Sequence, residues 1–258
     1  MIKSSHAKRY GSLGAIALLT MYLVVASPNP AFAMHISEGF LPLGWALGWW
    51  LVFLPFLGGG LWALQRQLKR HPESRVLLAL AGAFAFVLSS LKIPSVTGSC
   101  SHPMGIALGA TLFGPLVMTV LGTFVLLFQA LLIAHGGLTT LGANGFAMAV
   151  VAPWVAWGTY QGLKKLTQRQ GIALFAAAVL SNLVAYSLTA FQLALAFPHS
   201  DGGVVLSFAK FAALFAITQI PLAISEGLLT VLMGNWLLTY CLEELEVLQW
   251  RGGHTSHE

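Results

Sequence analysis

Met34 and His35 carry the densest chemistry in this chain, provided that processing places them at its start. An N-terminal X-His pair can grip a divalent metal through three nitrogens. These are the α-amine of Met34, the deprotonated amide nitrogen of His35 and its imidazole Nδ1. The fused chelate rings hold them nearly coplanar, which suits ions that accept tetragonal nitrogen coordination, Ni(II) or Cu(II) and also Co(II). A fourth nitrogen would complete the square. The linker Pro94-Ser95-Val96-Thr97-Gly98-Ser99-Cys100-Ser101-His102-Pro103 offers one, His102. Irregular polar backbone at membrane depth survives only where it lines a cavity or is buried in protein; an exposed loop is the plainer reading of the same residues. Cys100 ranks below His102, because a thiolate favours softer metals and redox chemistry. Ser101 is a candidate for a supporting hydrogen bond. A third stretch, His135-Gly136-Gly137-Leu138-Thr139-Thr140-Leu141-Gly142-Ala143-Asn144, reads as a turn in which His135 or Asn144 can orient the ligands. His71, His199, His254 and His257 fall in polar loops and the tail and read as solvated.

The elements that must position these residues are membrane helices. Only 8% of the 258 residues are charged and 57% are hydrophobic, with a mean hydropathy of +0.79, whereas a soluble domain carries about a quarter charged residues. That excludes a soluble enzyme, a nucleic-acid binder and a disordered chain together. The net charge of +5 reads as loops that set orientation across the bilayer, and two cysteines make no disulfide scaffold.

Residues 1–33 read as a cleaved signal peptide. Lys3, Lys8 and Arg9 precede the apolar stretch Leu13–Ala26, then Pro28, Pro30 and Ala31-Phe32-Ala33 supply a break and a cleavage site. The alternative is an uncleaved first span, against which the stretch covers only about 21 Å of a roughly 30 Å core. Residues 34–258 then form one polytopic domain with an outside amino terminus. Basic patches at Arg66, Lys69, Arg70 and Arg75 and at Lys164, Lys165 and Arg169 belong inside, and no Asp, Glu, Lys or Arg lies between Lys92 and Lys164. Parity then predicts an all-α membrane protein of about seven helices, N-out and C-in, near 41–65, 76–92, 104–114, 116–134, 144–163, 171–197 and 207–232. His35, His102 and His135 all fall on the outer side. Gly44-xxx-Gly48, Ala79-xxx-Ala83 and Ala81-xxx-Ala85 are small-residue spacings for close helix packing, within the subunit or against another. Glu226 is expected toward the inner end of the last span, marking a cytoplasmic interface or capping a helix break, too far across the membrane to join His35. No internal repeat stands out.

Met34-His35-Ile36-Ser37-Glu38-Gly39-Phe40-Leu41-Pro42, the Ser95–Pro103 motif and the His135–Asn144 motif, in this order, resemble the CbiM/NikM family, in its cobalt branch. The resemblance runs through the mature chain. It implies a metal-binding subunit of an energy-coupling-factor transporter, its N-terminal segment folded into the bundle and its metal held by Met34, His35 and His102. It also implies a membrane coupling subunit, cytoplasmic ATPase subunits and a small accessory membrane protein as partners, in the cytoplasmic membrane of a bacterium. Co2+ would be the transported substrate, feeding cobalamin synthesis, with no prosthetic group. The family's terminus follows the initiator Met directly, and removal of residues 1–33 restores that terminus at Met34. The chain has no G-x-x-x-x-G-K-[ST] sequence for ATP. Ni2+ is the rival ion, since four nitrogens suit it as well or better. An intramembrane metalloenzyme is the rival class, but no His-Glu-x-x-His pairing occurs. A purely structural subunit leaves the Met-His pair unexplained.

Overall fold

A computed structural model describes residues 35–91, 93–94, 100–248 and 250, and in it the apolar runs are helices. They are α1 (Leu43–Arg70), α2 (Arg75–Ser90), α3 (Ile106–Phe113), α4 (Pro115–Ile133), α5 (Leu141–Thr167, with a π-helical stretch at Phe146–Val151), α6 (Gln170–Ala196), α7 (Gly203–Tyr240) and a short α8 (Leu242–Val247). Between α2 and α3, β1 (Ile93–Pro94) pairs antiparallel with β2 (Cys100–Ser101). The chain is an all-α, multi-pass membrane protein.

All seven expected segments are helical, but only six are long and apolar enough to cross a membrane. The seventh, α3, has eight residues, about 12 Å of rise. It crosses nothing by itself. Every residue from Ser101 to Leu112 is buried, so neighbouring helices shield the irregular backbone that leads into it. Gly114, with φ +83°, and Pro115 break α3 from α4, Pro115 sitting where a helix's first turn has no use for an N–H. In α5, Pro153 cannot donate to the carbonyl of Ala149, and the wider π turn precedes it.

The last span is the larger departure. α7 runs 38 residues, about 57 Å, well beyond a roughly 30 Å core. Fourteen residues, about 21 Å of helix, follow Glu226 up to and including Tyr240. Its carboxyl is fully buried in the bundle, nearer the inner end of α7 than the outer, yet about four turns short of that end.

Connectivity places the chemistry. His35 precedes α1, His102 follows α2 and His135 follows α4, so all three sit at one end of the bundle. Arg66, Lys69 and Arg70 close α1, Arg75 opens α2, and Lys164 and Lys165 close α5, all at the other end. Between the ends, α6 and α7 pack along their length, and Ala81 and Ala85 of α2 are buried inside the subunit. Gly44 and Gly48 face open space, and Ala79 and Ala83 are exposed. α1 and α7 turn most of their apolar surface outward, with Leu43, Leu47, Leu51, Leu228 and Leu232 among the exposed side chains, a surface that lipid satisfies and water does not.

Candidate metal centre

Residues 35–41 form a strap laid into a cradle made by residues 136–144. Asn144 holds both backbone groups of one residue: its Oδ1 accepts from Ile36 N at 2.8 Å and its Nδ2 donates to Ile36 O at 3.0 Å. Thr140 Oγ1 donates to the same carbonyl at 2.7 Å. Glu38 N donates to Gly136 O at 3.1 Å, and Gly39 N to Thr139 Oγ1 at 3.2 Å. The Glu38 carboxylate accepts from Thr139 N at 3.1 Å, and the Thr139 contacts hold its pKa below the ordinary carboxylate value. The fit requires glycine. A Cβ at Gly137 would sit 2.5 Å from Glu38 Cα, and Gly136 has φ +77°. The stretch that reads as a turn is thus a receptor for the chain's own N-terminal segment.

The strap delivers His35 against two other imidazoles. Ring centroids are 4.7 Å apart for His35 and His102, and 4.9 Å for both pairs that include His135. One nitrogen from each ring lies within 4.8 Å of the others. All three rings are at most 3% exposed. Among the described residues this is the single group of three or more His, Cys, Asp or Glu with such spacing, and it contains no carboxylate. Beside His35 the strap leaves a void of only about 10 Å³, walled by Met104, Asn144, Met148 and Tyr186 among others, about the space of one water. The site is closed.

Hydrogen bonds fix which nitrogens face inward. His35 Nε2 lies 3.1 Å from Gln129 Oε1, while Gln129 Nε2 donates to Ser89 O at 3.3 Å. The amide oxygen can only accept, so His35 carries its proton on Nε2 and keeps the Nδ1 lone pair, the nitrogen that an N-terminal chelate uses. His102 Nδ1 lies 2.9 Å from Pro103 O. A carbonyl can only accept, so here Nδ1 is protonated and Nε2 keeps the lone pair. The two rings are locked in opposite tautomers, each by a neutral acceptor, which is how protein surroundings orient metal-binding imidazoles. Gln129 was not singled out in the sequence, although a lone carboxamide within Phe124-Val125-Leu126-Leu127-Phe128-Gln129-Ala130-Leu131-Leu132 is the kind of residue that must find a buried partner.

Among the sequence candidates, the structure gathers His35, His102, His135 and Asn144 in one place. Ser101 sits beside them, its Oγ 2.7 Å from Thr218 Oγ1, tying the His102 segment to α7. Residues 1–33, Met34, Ser95–Ser99 and the side chain of Cys100 lie outside the described residues. His199 contacts Lys210 and Asp201 N, and His71 faces Glu73 at 3.4 Å; neither approaches the cluster's composition.

Glu226 requires a correction. It was expected too far across the membrane to join His35, marking a cytoplasmic interface or capping a helix break. Instead its carboxylate accepts from Met104 N and Gly105 N, both at 2.8 Å, two and three residues beyond His102. It does cap a helix break, the start of α3. The physical reason is the shielded entry to α3: a chain that dips into the bundle as buried coil must satisfy its own N–H groups there.

A family model described as "Cobalt uptake substrate-specific transmembrane region", CbiM, matches residues 35–241. The cobalt transport protein CbiM of Thermosynechococcus vestitus is 72% identical over 249 residues, covering 96% of this chain and 97% of that one. The protein of the same name from Nostoc is 58% identical over 259 residues, covering 100% and 99%. That from Moorella thermoacetica is 57% identical over 243 residues, covering 93% and 94%. Among solved structures, a truncated transition metal transporter superposes with a TM-score of 0.68 at 27% identity, over 80% of this chain and 99% of that one. A second transition metal transporter gives 0.63 at 25% identity, over 80% and 92%.

Proposed function

The chain belongs to the CbiM family, and from that premise we propose that it captures Co2+ outside the cytoplasmic membrane as the substrate-binding subunit of a cobalt importer. The observation that carries the proposal is the closed nest of His35, His102 and His135, whose ring nitrogens converge within 4.8 Å without a carboxylate among them. Neutral nitrogen donors favour a late first-row ion over Ca2+ or Mg2+, which prefer oxygen.

In this reading, removal of residues 1–33 frees the α-amine of Met34, one residue from His35. That amine, the His35 amide nitrogen and His35 Nδ1 chelate the ion, and His102 Nε2 supplies the opposing imidazole. His135 adds a donor beyond the square, which Co2+ accepts and square-planar Ni2+ does not need. The ion arrives from outside, displaces protons from the amine and the amide, and binds as the strap settles into its cradle. Binding and closure are one event, because Asn144 and Thr140 hold the residue next to the chelate. The chain works as a transporter subunit rather than an enzyme. A membrane coupling subunit, ATPase subunits and a small accessory membrane protein supply the energy that turns the loaded subunit inward, and the cobalt feeds cobalamin synthesis.

The test is direct. Edman sequencing of the protein recovered from membranes is expected to begin Met-His-Ile-Ser. Titration of that protein is expected to show one Co2+ per chain, with d–d bands of nitrogen coordination, and uptake assays in cells are expected to favour Co2+ over Ni2+. A start at any other residue together with retained stoichiometric Co2+ removes the chelate from the reading; preferential uptake of Ni2+ reassigns the ion.

A further inference from the structure

Glu226 is a buried acid that the chelate does not use. It is 0% exposed, as are Asn182 and Gln219 beside it. Each of its contacts is a donor: Met104 N to Oε2 at 2.8 Å, Gly105 N to Oε1 at 2.8 Å, and Asn182 Nδ2 to Oε2 at 2.6 Å. Gln219, two helical turns earlier on α7, donates to Asn182 Oδ1 at 2.5 Å and keeps that amide turned the right way. Gly105, with φ +68°, leaves no room for a side chain, since a Cβ there would lie 2.7 Å from Ala85 Cα. The two N–H groups therefore face one carboxylate, an oxygen each.

The consequence runs through a single peptide group. The N–H that Glu226 holds on Met104 belongs to the same planar unit as the carbonyl of Pro103, and in a trans peptide the two point in opposite directions. That carbonyl accepts the Nδ1 proton of His102. The chain of contacts is carboxylate, peptide N–H, peptide C=O, imidazole N–H, with His102 Nε2 at its far end. An anion on the N–H side polarises the carbonyl and strengthens the bond it accepts, as hydrogen bonds in series do in a low-dielectric interior. In many metal sites a carboxylate bonds the ligand imidazole directly and raises its basicity. Here a peptide bond stands between them.

We propose that Glu226 is a positioning residue for metal capture, acting through the Pro103–Met104 peptide to hold His102 as the Nδ1–H tautomer with Nε2 turned to the histidine cluster. The proposal rests on the reading of His102 as a ligand. It makes the ligand's direction depend on the packing of α6 and α7, which supply Asn182 and Glu226. The Ser101–Thr218 contact is a second tie between α7 and the same segment.

Histidine ¹⁵N NMR of the metal-free, processed full chain tests the tautomer without any change at Glu226. The His102 resonances, assigned by their loss in His102→Ala, are expected at Nδ1–H positions; an Nε2–H pattern overturns the proposal. In Glu226→Gln, one N–H must face an amide NH2, so the Nδ1–H population should fall. Co2+ binding should weaken by about 10- to 100-fold with shifted d–d bands, while the melting curve stays cooperative. Wild-type affinity and spectrum in a folded E226Q protein also overturn it. His102→Ala separates the two readings: if that variant still binds Co2+ like wild type, the ligand assignment fails, and if it loses binding while E226Q does not, only the role of Glu226 fails.

Discussion

The bundle buries two polar islands with opposite electrical designs. In the histidine cluster two rings donate their protons to acceptors at its edge: His35 gives its Nε2 proton to Gln129, and His102 gives its Nδ1 proton to Pro103. Around Glu226 the protons face inward, from Met104, Gly105 and Asn182, onto an acceptor. Both islands are as dry as the apolar core. A cation entering the first meets ring nitrogens that offer lone pairs, the protons of His35 and His102 being engaged elsewhere. A cation entering the second meets N–H dipoles of the wrong sign around a carboxylate already engaged. Burial and charge alone would nominate Glu226 as the intramembrane cation ligand. The direction of its hydrogen bonds assigns it to structure, and under the proposed function the ion goes to the three rings instead. The islands meet in one buried segment, Ser101–Gly105, with the His102 ring turned to one and the Met104 and Gly105 N–H groups to the other.

The sharpest way to break this contrast is to remove a ring. His35→Ala or His102→Ala is expected to lower Co2+ affinity by more than about a thousandfold, the loss of a metal–nitrogen bond in a site where metal affinity is set by ligand number and type. The metal-free protein should also melt lower, because truncating a buried ring leaves a cavity and an acceptor without its donor, so melting has to be read separately from affinity. One residue added before Met34 should lower affinity likewise by moving the amine out of chelating range. Isothermal titration and thermal melting measure both. An H102A protein that binds Co2+ as wild type does would show that the cluster is ordinary packing.

A smaller effect is expected where the outer contacts are changed. Gln129→Leu deprives His35 Nε2–H and Ser89 O of their partner but leaves every ring nitrogen in place. Supporting contacts of this kind are worth about 10- to 100-fold in metal affinity, and the neutral, singly bonded Gln129 belongs at the lower end. About a tenfold weaker Co2+ titration, with the His35 tautomer population redistributed in ¹⁵N spectra, is the expected outcome. An unchanged tautomer in Q129L would mean that chelate geometry alone sets the ring.

These distinctions were unequally visible in the sequence. The helices were legible because apolar runs broken by Gly114-Pro115, Pro72 and Pro198 leave few alternatives for a chain that must satisfy its backbone in lipid. Where the helices ended was less so. The extension of α7 to Tyr240 adds Met233–Tyr240 beyond the expected end, and composition does not say where lipid gives way to water along an apolar helix. The same error displaced Glu226. His35 and His102 were legible from residue type and parity. The part played by Asn144 was not, because its two bonds to Ile36 close a loop across 108 residues, and a Gly-rich stretch that receives another segment has the composition of one that merely turns. Gln129 was overlooked for a similar reason: its partner, 94 residues away, is known only once the chain has folded.

The smallest expected effect lies at the strap's edge and separates closure from coordination. Glu38 is exposed and touches no ring, yet its carboxylate accepts from Thr139 N on the cradle, and those contacts hold its pKa below the usual value. A lowered folded-state pKa means that the ionised form is favoured by closure. The contribution is fully present above the ordinary carboxylate range and disappears as pH falls through the lowered value. Near neutrality it should be constant. Glu38→Gln is therefore expected to speed hydrogen exchange at Thr139 N–H and to weaken Co2+ binding by no more than about threefold at neutral pH, because solvent screens an exposed contact. The difference from wild type in hydrogen exchange should vanish in acid, where Glu38 is protonated in both open and closed forms. If E38Q instead weakens Co2+ binding as much as Q129L does, closure of the strap contributes as much to affinity as the orientation of His35. The histidine cluster would then be a site assembled by its lid, and the contrast with the permanently satisfied Glu226 island would be one of timing as well as polarity.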